Sequence, residues 1–293
     1  MPARADDGGA IERGLGMESD SGFGIVSNCW RRQLAEGDVL DDLLEEAVRR
    51  GYRSVELRQG CLGAYETQGS LVPRADSLAR LPTRFSSLRH TIAVACPFLS
   101  GRLRPESDLF RAACAGATAV AGRRSPLLRL VDPQTSTEEL LASEVEAVAD
   151  TLAALVAPLA EVDGVLAVEA AKQSWDPFRS VFDAARKVLG SNDWRLQLCH
   201  DPCNLVAANH LADVEQVTAG LNPLEVAMVH FKQRAGEQPQ TVLCPGDVDW
   251  SGQMAALNAI GYDGPQLFEV EPHLEIWDSL GESVRYLRSL SPG

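Results

Sequence analysis

From residue 22 to its end the chain alternates eight times between a short apolar, strand-like run and a longer helix-like pattern. No other feature restricts its fold as severely. The strand-like runs fall at 22–30, 53–60, 88–98, 126–132, 165–171, 195–201, 225–232 and 265–271. Helical patterns follow them, among them 38–52 ending at Gly51, 176–190 ending at Gly190, a segment around 211–219, 250–260, and a last one at 279–290. The longest, 135–162, has Thr135 or Thr137 placed to cap it, because a threonine hydroxyl can accept an orphan N–H of the first turn. Strand-then-helix alternation forces neighbouring strands to run parallel. Eight such units at roughly 34 residues each match a closed (β/α)8 TIM barrel. A doubly wound sheet is the competing α/β solution, and the chain has no G-x-G-x-x-G loop to support it. Residues 60–87 fit the pattern least and are expected to be a long loop with a short helix.

The expected organisation is a disordered leader over 1–21 and one barrel domain over 22–293. The leader is rich in Gly, Asp and Ser and lacks the apolar core of a secretory signal. No run approaches the roughly 20 apolar residues that cross a bilayer, so no membrane partner is expected. The formal net charge of −14 and the lack of a Lys/Arg cluster with interleaved aromatics argue against nucleic acid. Seven cysteines with no C-x-x-C pair read as reduced thiols, consistent with a cytoplasmic protein.

In a barrel the chemistry gathers where the strands end at their C-termini. Strand five ends in Glu169, strand six in Asp201, strand seven in His230 and strand eight in Glu269. Taken singly, a strand-end Glu is more often a cap partner or a salt-bridge member, and a lone His a hydrogen-bonded core residue. Four such residues on four successive strand ends are a different case. Carboxylates converging on one mouth repel one another unless a cation joins them. Three carboxylates and an imidazole form a mostly oxygen donor set, suited to Mn²⁺, Mg²⁺ or Co²⁺ and able to take Zn²⁺. Alternation along strand six sends Cys199 and Asp201 to one face and His200 to the other, behind the barrel wall. Lys232 shares a face with His230. It is either a substrate ligand or a salt-bridge partner of Glu271 or Asp201. Glu56 and Arg58 end strand two on one face, and mutual pairing is slightly favoured over substrate binding. His90 is expected in the core. Trp30, Trp175 and Trp250 could wall the pocket, with Trp250 more at home under the loop before the seventh helix.

Several segments carry a family resemblance: GYRSVELR (51–58), VLAVEAA (165–171), LCHDPCN (198–204), VHFKQ (229–233) and PGDVDW through GPQLFEVEP (245–272). Together they resemble the sugar phosphate isomerase/epimerase superfamily, the xylose isomerase-like barrels. The likeness is strongest after residue 165. It implies that Glu169, Asp201, His230 and Glu269 are metal ligands. It also implies that Glu169 and Glu269, facing opposite sides of a substrate, shuttle its proton. The implied activity is that of a divalent-metal-dependent isomerase or epimerase working through an enediolate on a keto-sugar or polyol-like substrate. Lys232, Asn204, Glu56 and Arg58 are the candidate substrate-binding residues. The family alone is compatible with a homodimer. Two positions depart from the pattern: Asn204 stands where D-x-x-H forms carry histidine, and Gln233 where H-x-K-D forms carry aspartate. These departures keep a lyase open, one that dehydrates or β-eliminates a keto-sugar or keto-cyclitol. A barrel that binds without catalysing is the third reading. The DNA-repair branch of the fold uses many more histidines than the five present.

Overall fold

A computed structural model describes residues 22–209 and 213–290. The leader expected over 1–21 lies outside the described residues, as do positions 211 and 212 of the helix expected around 211–219. The eight strands are β1 (Phe23–Val26), β2 (Ser54–Arg58), β3 (Arg89–Ala95), β4 (Leu127–Val131), β5 (Val165–Glu169), β6 (Leu196–His200), β7 (Val226–Phe231) and β8 (Gln266–Phe268). They close into a barrel in the order β1-β8-β7-β6-β5-β4-β3-β2, each neighbouring pair parallel. The fold is a (β/α)8 TIM barrel.

Strand alternation sorts the core into two layers. Val26, Leu127, Ala167, Cys199, Ala227, Met228 and Leu267 pack with one another inside the barrel. Side chains of the opposite parity, such as Ile25, Leu128, Leu166 and Phe268, join the larger shell beneath the helices. That shell is close-packed around aromatics. Phe231 meets Trp250 edge-on with centroids 4.7 Å apart, and Trp30 packs on Trp277 at 5.6 Å. Large residues such as Leu127, Met228 and Leu267 interleave with small ones such as Ala167 and Cys199 inside, so the strands tilt and close around a filled interior.

Several elements differ from the sequence reading for local reasons. The helix expected over 135–162 is two, Thr137–Leu141 and Val145–Ala160. Its cap is neither threonine: Ser136 and Glu139 form a reciprocal capping box, which fixes the start of a short first turn. The eighth strand is three residues rather than seven, although Glu269 N–H still donates to Phe231 O at 3.0 Å and keeps the chain extended. The first strand is also shorter, because Ser27–Trp30 coils into a 3-10 turn that leads into the helix Arg31–Glu36. Between 60 and 87 the chain holds a 3-10 turn, Gly63–Tyr65, and two short helices, Ala75–Leu78 and Leu81–Arg84. After β7 a two-residue antiparallel ribbon, Arg234–Ala235 with Gln238–Pro239, stands over one side of the mouth. Among the described residues no helix is long and apolar enough to cross a membrane.

Candidate metal centre

The strand ends bring Glu169, Asp201, His230 and Glu269 together. One donor atom from each lies within 4.8 Å of all the others, and all four residues are buried. Each is aimed by a neighbour. The Asp201 carboxylate accepts Asn204 N–H through Oδ1 at 3.0 Å, at the start of the helix Pro202–Asn209. Its Oδ2 is thereby left to face the cluster, where Lys232 Nζ stands 2.8 Å away. Glu269 accepts Asn28 Nδ2 through Oε1 at 2.7 Å. Its Oε2 meets Lys232 Nζ at 2.5 Å and His230 Nδ1 at 3.1 Å. Glu169 accepts Asn204 Nδ2 through Oε1 at 2.9 Å. The His230 ring turns Nδ1 toward Glu169 and Glu269 and Nε2 toward Glu56, 3.5 Å off.

Beneath this cluster lies an ion-paired floor that the sequence reading missed. Arg129, on β4, is fully buried. Its Nε and Nη2 engage both oxygens of Glu56, at 2.5 to 3.0 Å, and its Nη1 holds Glu169 Oε2. Glu56 and Arg58 therefore do not pair with each other. Two residues apart on one strand, they sit at different depths, and the deeper one meets Arg129. Arg58 reaches upward instead, with Nε 3.9 Å from Glu269 Oε1. Lys232 pairs with Asp201 and Glu269, not with Glu271.

These contacts set the charges. Burial alone would raise the Glu169 carboxyl, but Arg129 and Lys232 outweigh it and hold it down at about 2. Glu269 is likewise held well below the usual carboxylate range, with burial overcome by Lys232 and His230. Glu56 is lowered despite burial by Arg129 and His230. Asp201 moves the other way, because burial and the nearby Glu169 outweigh Lys232. Burial and Glu169 push the neighbouring Cys199 thiol up to about 12, with His230 opposing, so it is a neutral floor atom.

The remaining candidates sort by position. His200 points behind the wall and meets Thr218 Oγ1 at 2.8 Å. His90 is buried near the start of β3, away from the mouth. Trp30 lies in the outer shell against Trp277 and does not wall the pocket. Trp250 is fully buried, and its Nε1 donates to Lys232 O at 2.8 Å. Trp175 packs on Phe178. Gln233 is a structural clamp: its amide donates to Cys244 O and Val248 O and accepts from Arg234 and Val248 N–H. Above the cluster opens a cavity of about 440 Å³, with Asn28, Arg31, Asn204, Lys232, Glu269 and Glu271 in its wall.

The donor set fits a divalent cation. Three carboxylate oxygens and one imidazole nitrogen converge, and His230 turns its other nitrogen toward a buried carboxylate, as metal-binding histidines commonly do. Asp201 Oδ2 is met by Lys232 Nζ at 2.8 Å, a cation that an incoming metal ion could displace.

A closed parallel barrel with a carboxylate–histidine cluster at the C-terminal mouth places the molecule among the (β/α)8 barrels that carry a polar site on their strand ends. Residues 44–290 match the model of the xylose isomerase-like TIM barrel, and the chain belongs to that family. No curated protein matches it by sequence. Among solved structures it resembles the IolI protein with a bound zinc atom (14% identity, TM-score 0.68, covering 92% of this chain and 97% of that one). It also resembles an L-ribulose 3-epimerase (14%, TM-score 0.65, 92% and 95%). A third is AsbF of Bacillus anthracis, described as a probable 3-DHS dehydratase (14%, TM-score 0.62, 91% and 98%). At such identities the likeness is one of fold.

Proposed function

We propose that the protein is a divalent-metal-dependent isomerase or epimerase acting on a keto-sugar or polyol-like substrate by proton transfer through an enediolate. The observation that carries this reading is the convergence of Glu169, Asp201, His230 and Glu269 at the floor of an open cavity of sugar-sized volume. These four would hold the ion, with Mn²⁺, Mg²⁺ or Co²⁺ favoured by the oxygen-rich donors and Zn²⁺ accommodated. The ion supplies Lewis-acid polarisation, which acidifies a C–H beside a carbonyl.

The chain's own residues do the rest. Glu269 lines the cavity, so its carboxylate can take a proton from a substrate carbon. Glu169 is the second carboxylate, and in this reading it returns the proton. Its Oε2 is tied to Arg129, leaving Oε1 as the working oxygen. Asn204 cannot exchange protons; it orients Glu169 and a substrate hydroxyl. Lys232, at the cavity wall, steadies developing negative charge.

A lyase is the second reading. Gln233 is locked in its loop and Asn204 carries no acid, so neither departure from the family pattern offers a return proton. Lys232 could protonate a departing β-hydroxyl instead.

Elemental analysis of the purified protein tests the site: about one divalent ion per chain, lost in Glu169→Gln and His230→Ala, is expected. A metal-free protein that no divalent ion stabilises would sink the reading. Product mass then separates the two chemistries, since isomerisation conserves it and dehydration removes one water.

A further inference from the structure

The charge around the site does not close, and the excess lies at one edge of the mouth. Arg129 and Lys232 offset two of the four negative charges of Glu56, Glu169, Asp201 and Glu269, and a divalent ion would offset the other two. Arg58 is left over. Its side chain is only 19% exposed, its Nε is buried without a hydrogen-bond partner, and the nearest acid oxygen, Glu269 Oε1, is 3.9 Å away. That oxygen is already taken by Asn28 at 2.7 Å. With a divalent ion added to the four carboxylates, the positive charge of the site exceeds the negative. A buried guanidinium N–H without an acceptor is costly, and a planar oxyanion is a good partner for it.

Arg31 lies in the wall of the cavity that also holds Asn28 and Glu269. The Arg58 backbone N–H donates to Ser27 Oγ at 2.8 Å, which ties β2 to the turn that carries Asn28 and Arg31. Glu66 spends its carboxylate on the N–H groups of Gly60 and Leu62 at 2.8 and 3.1 Å. The acids of the opposite wall, Glu237 and Glu271, are carried by the loops after β7 and β8. Arg234, in the same wall, is occupied by Gly236 O at 2.7 Å and Asp247 at 3.9 Å, so Arg31 and Arg58, on the β1 and β2 side, are the arginines left to a ligand.

We propose that Arg58 and Arg31 form an oxyanion subsite, so that the substrate is an acidic sugar derivative bearing a carboxylate or phosphate, not a neutral sugar. This rests on the metal-dependent keto-sugar reading above. The oxyanion docks on the two guanidinium groups, which points the rest of the molecule over Glu269 and the metal ligands.

The test is calorimetric binding of three probes to the metal-loaded full chain: D-fructose, 5-keto-D-gluconate and D-fructose 6-phosphate. At least one acidic probe is expected to bind tenfold or more tightly than D-fructose, and the stronger of the two tells carboxylate from phosphate. Arg58→Gln should erase that preference with metal content unchanged, and Arg58→Lys should keep part of it. Arg31→Gln, on an exposed side chain, provides a variant whose folding is not at stake and should weaken the preference severalfold. Equal binding of acid and neutral probes, no binding of any, or a preference that survives both glutamine variants would overturn the subsite. Acid binding without any isomerised or dehydrated product would leave the subsite standing and sink the enzymatic reading. Turnover of the neutral sugar without acid preference would do the reverse.

Discussion

The floor and the rim of the mouth are built on opposite plans. On the floor, Glu56, Arg129 and Glu169 are buried and joined by short ion pairs, with the buried His230 Nε2 3.5 Å from Glu56. On the rim, Lys232 bridges two carboxylates from a side chain 21% exposed, and Arg58 touches its acid only at 3.9 Å. The floor is fixed before any ligand arrives. The rim holds charges that a metal ion and a substrate can re-partner. The contrast separates what holds the ligands in place from what selects and transforms a substrate, and mutations should divide the same way.

The largest effect is expected from Arg129→Met. It strands two buried carboxylates, and removing one partner of such a network typically costs about 3–5 kcal/mol. Denaturant unfolding should show that loss; a variant as stable as the parent would mean the floor is not a structural unit. Next, Glu269→Gln should lower turnover by about 10²–10⁴, the usual contribution of a general acid or base, with little change in the unfolding midpoint. A collapse of stability instead would move Glu269 from rim to floor. Glu56→Gln should weaken metal binding by about 10–100-fold, the common cost of losing a partner behind a metal-bound histidine, as measured by competition with a chelator.

The smallest effect is in pH. Glu169 falls from an ordinary 4.5 to about 2 in the folded protein, and Glu56 and Glu269 are lowered in the same direction. Groups so depressed stabilise the fold above their unfolded value and lose that contribution as pH falls toward the folded one. The melting temperature of the metal-free protein should therefore hold down to about pH 4.5 and decline below it. Asp201, raised by burial, works in the opposite sense and blunts the slope. A melting temperature flat to pH 3 would remove the floor's electrostatics from the stability of the fold.

The barrel was legible because strand and helix periods alternate without interruption. Glu169, Asp201, His230 and Glu269 were legible because strand ends are marked in a sequence. Arg129 was not, although it carried a signal: a lone arginine between leucines in a strand buried along its whole length needs an acid partner across the barrel. Which acid it meets is settled only when β2, β4 and β5 curve together, and spacing along the chain does not encode that curvature. Pairing Glu56 with Arg58 failed for the same reason. Alternation assigns them one face, whereas depth along the barrel axis separates them. The capping box at Ser136, by contrast, is written in four residues, Ser136 to Glu139, and the threonines on either side of the serine mask it.

Glu269 sits one residue beyond the last strand, and the Asn28 amide that steadies it comes from just after the first. The seam that joins the first and last strands thus runs through the cluster. A polypeptide emerging from the ribosome holds three of the four donors long before it holds the fourth. Full-strength ion capture must therefore follow ring closure, so the metal acts as a seal on a finished barrel and not as a seed for it. Chains halted before residue 269 should bind the ion far more weakly than the released protein.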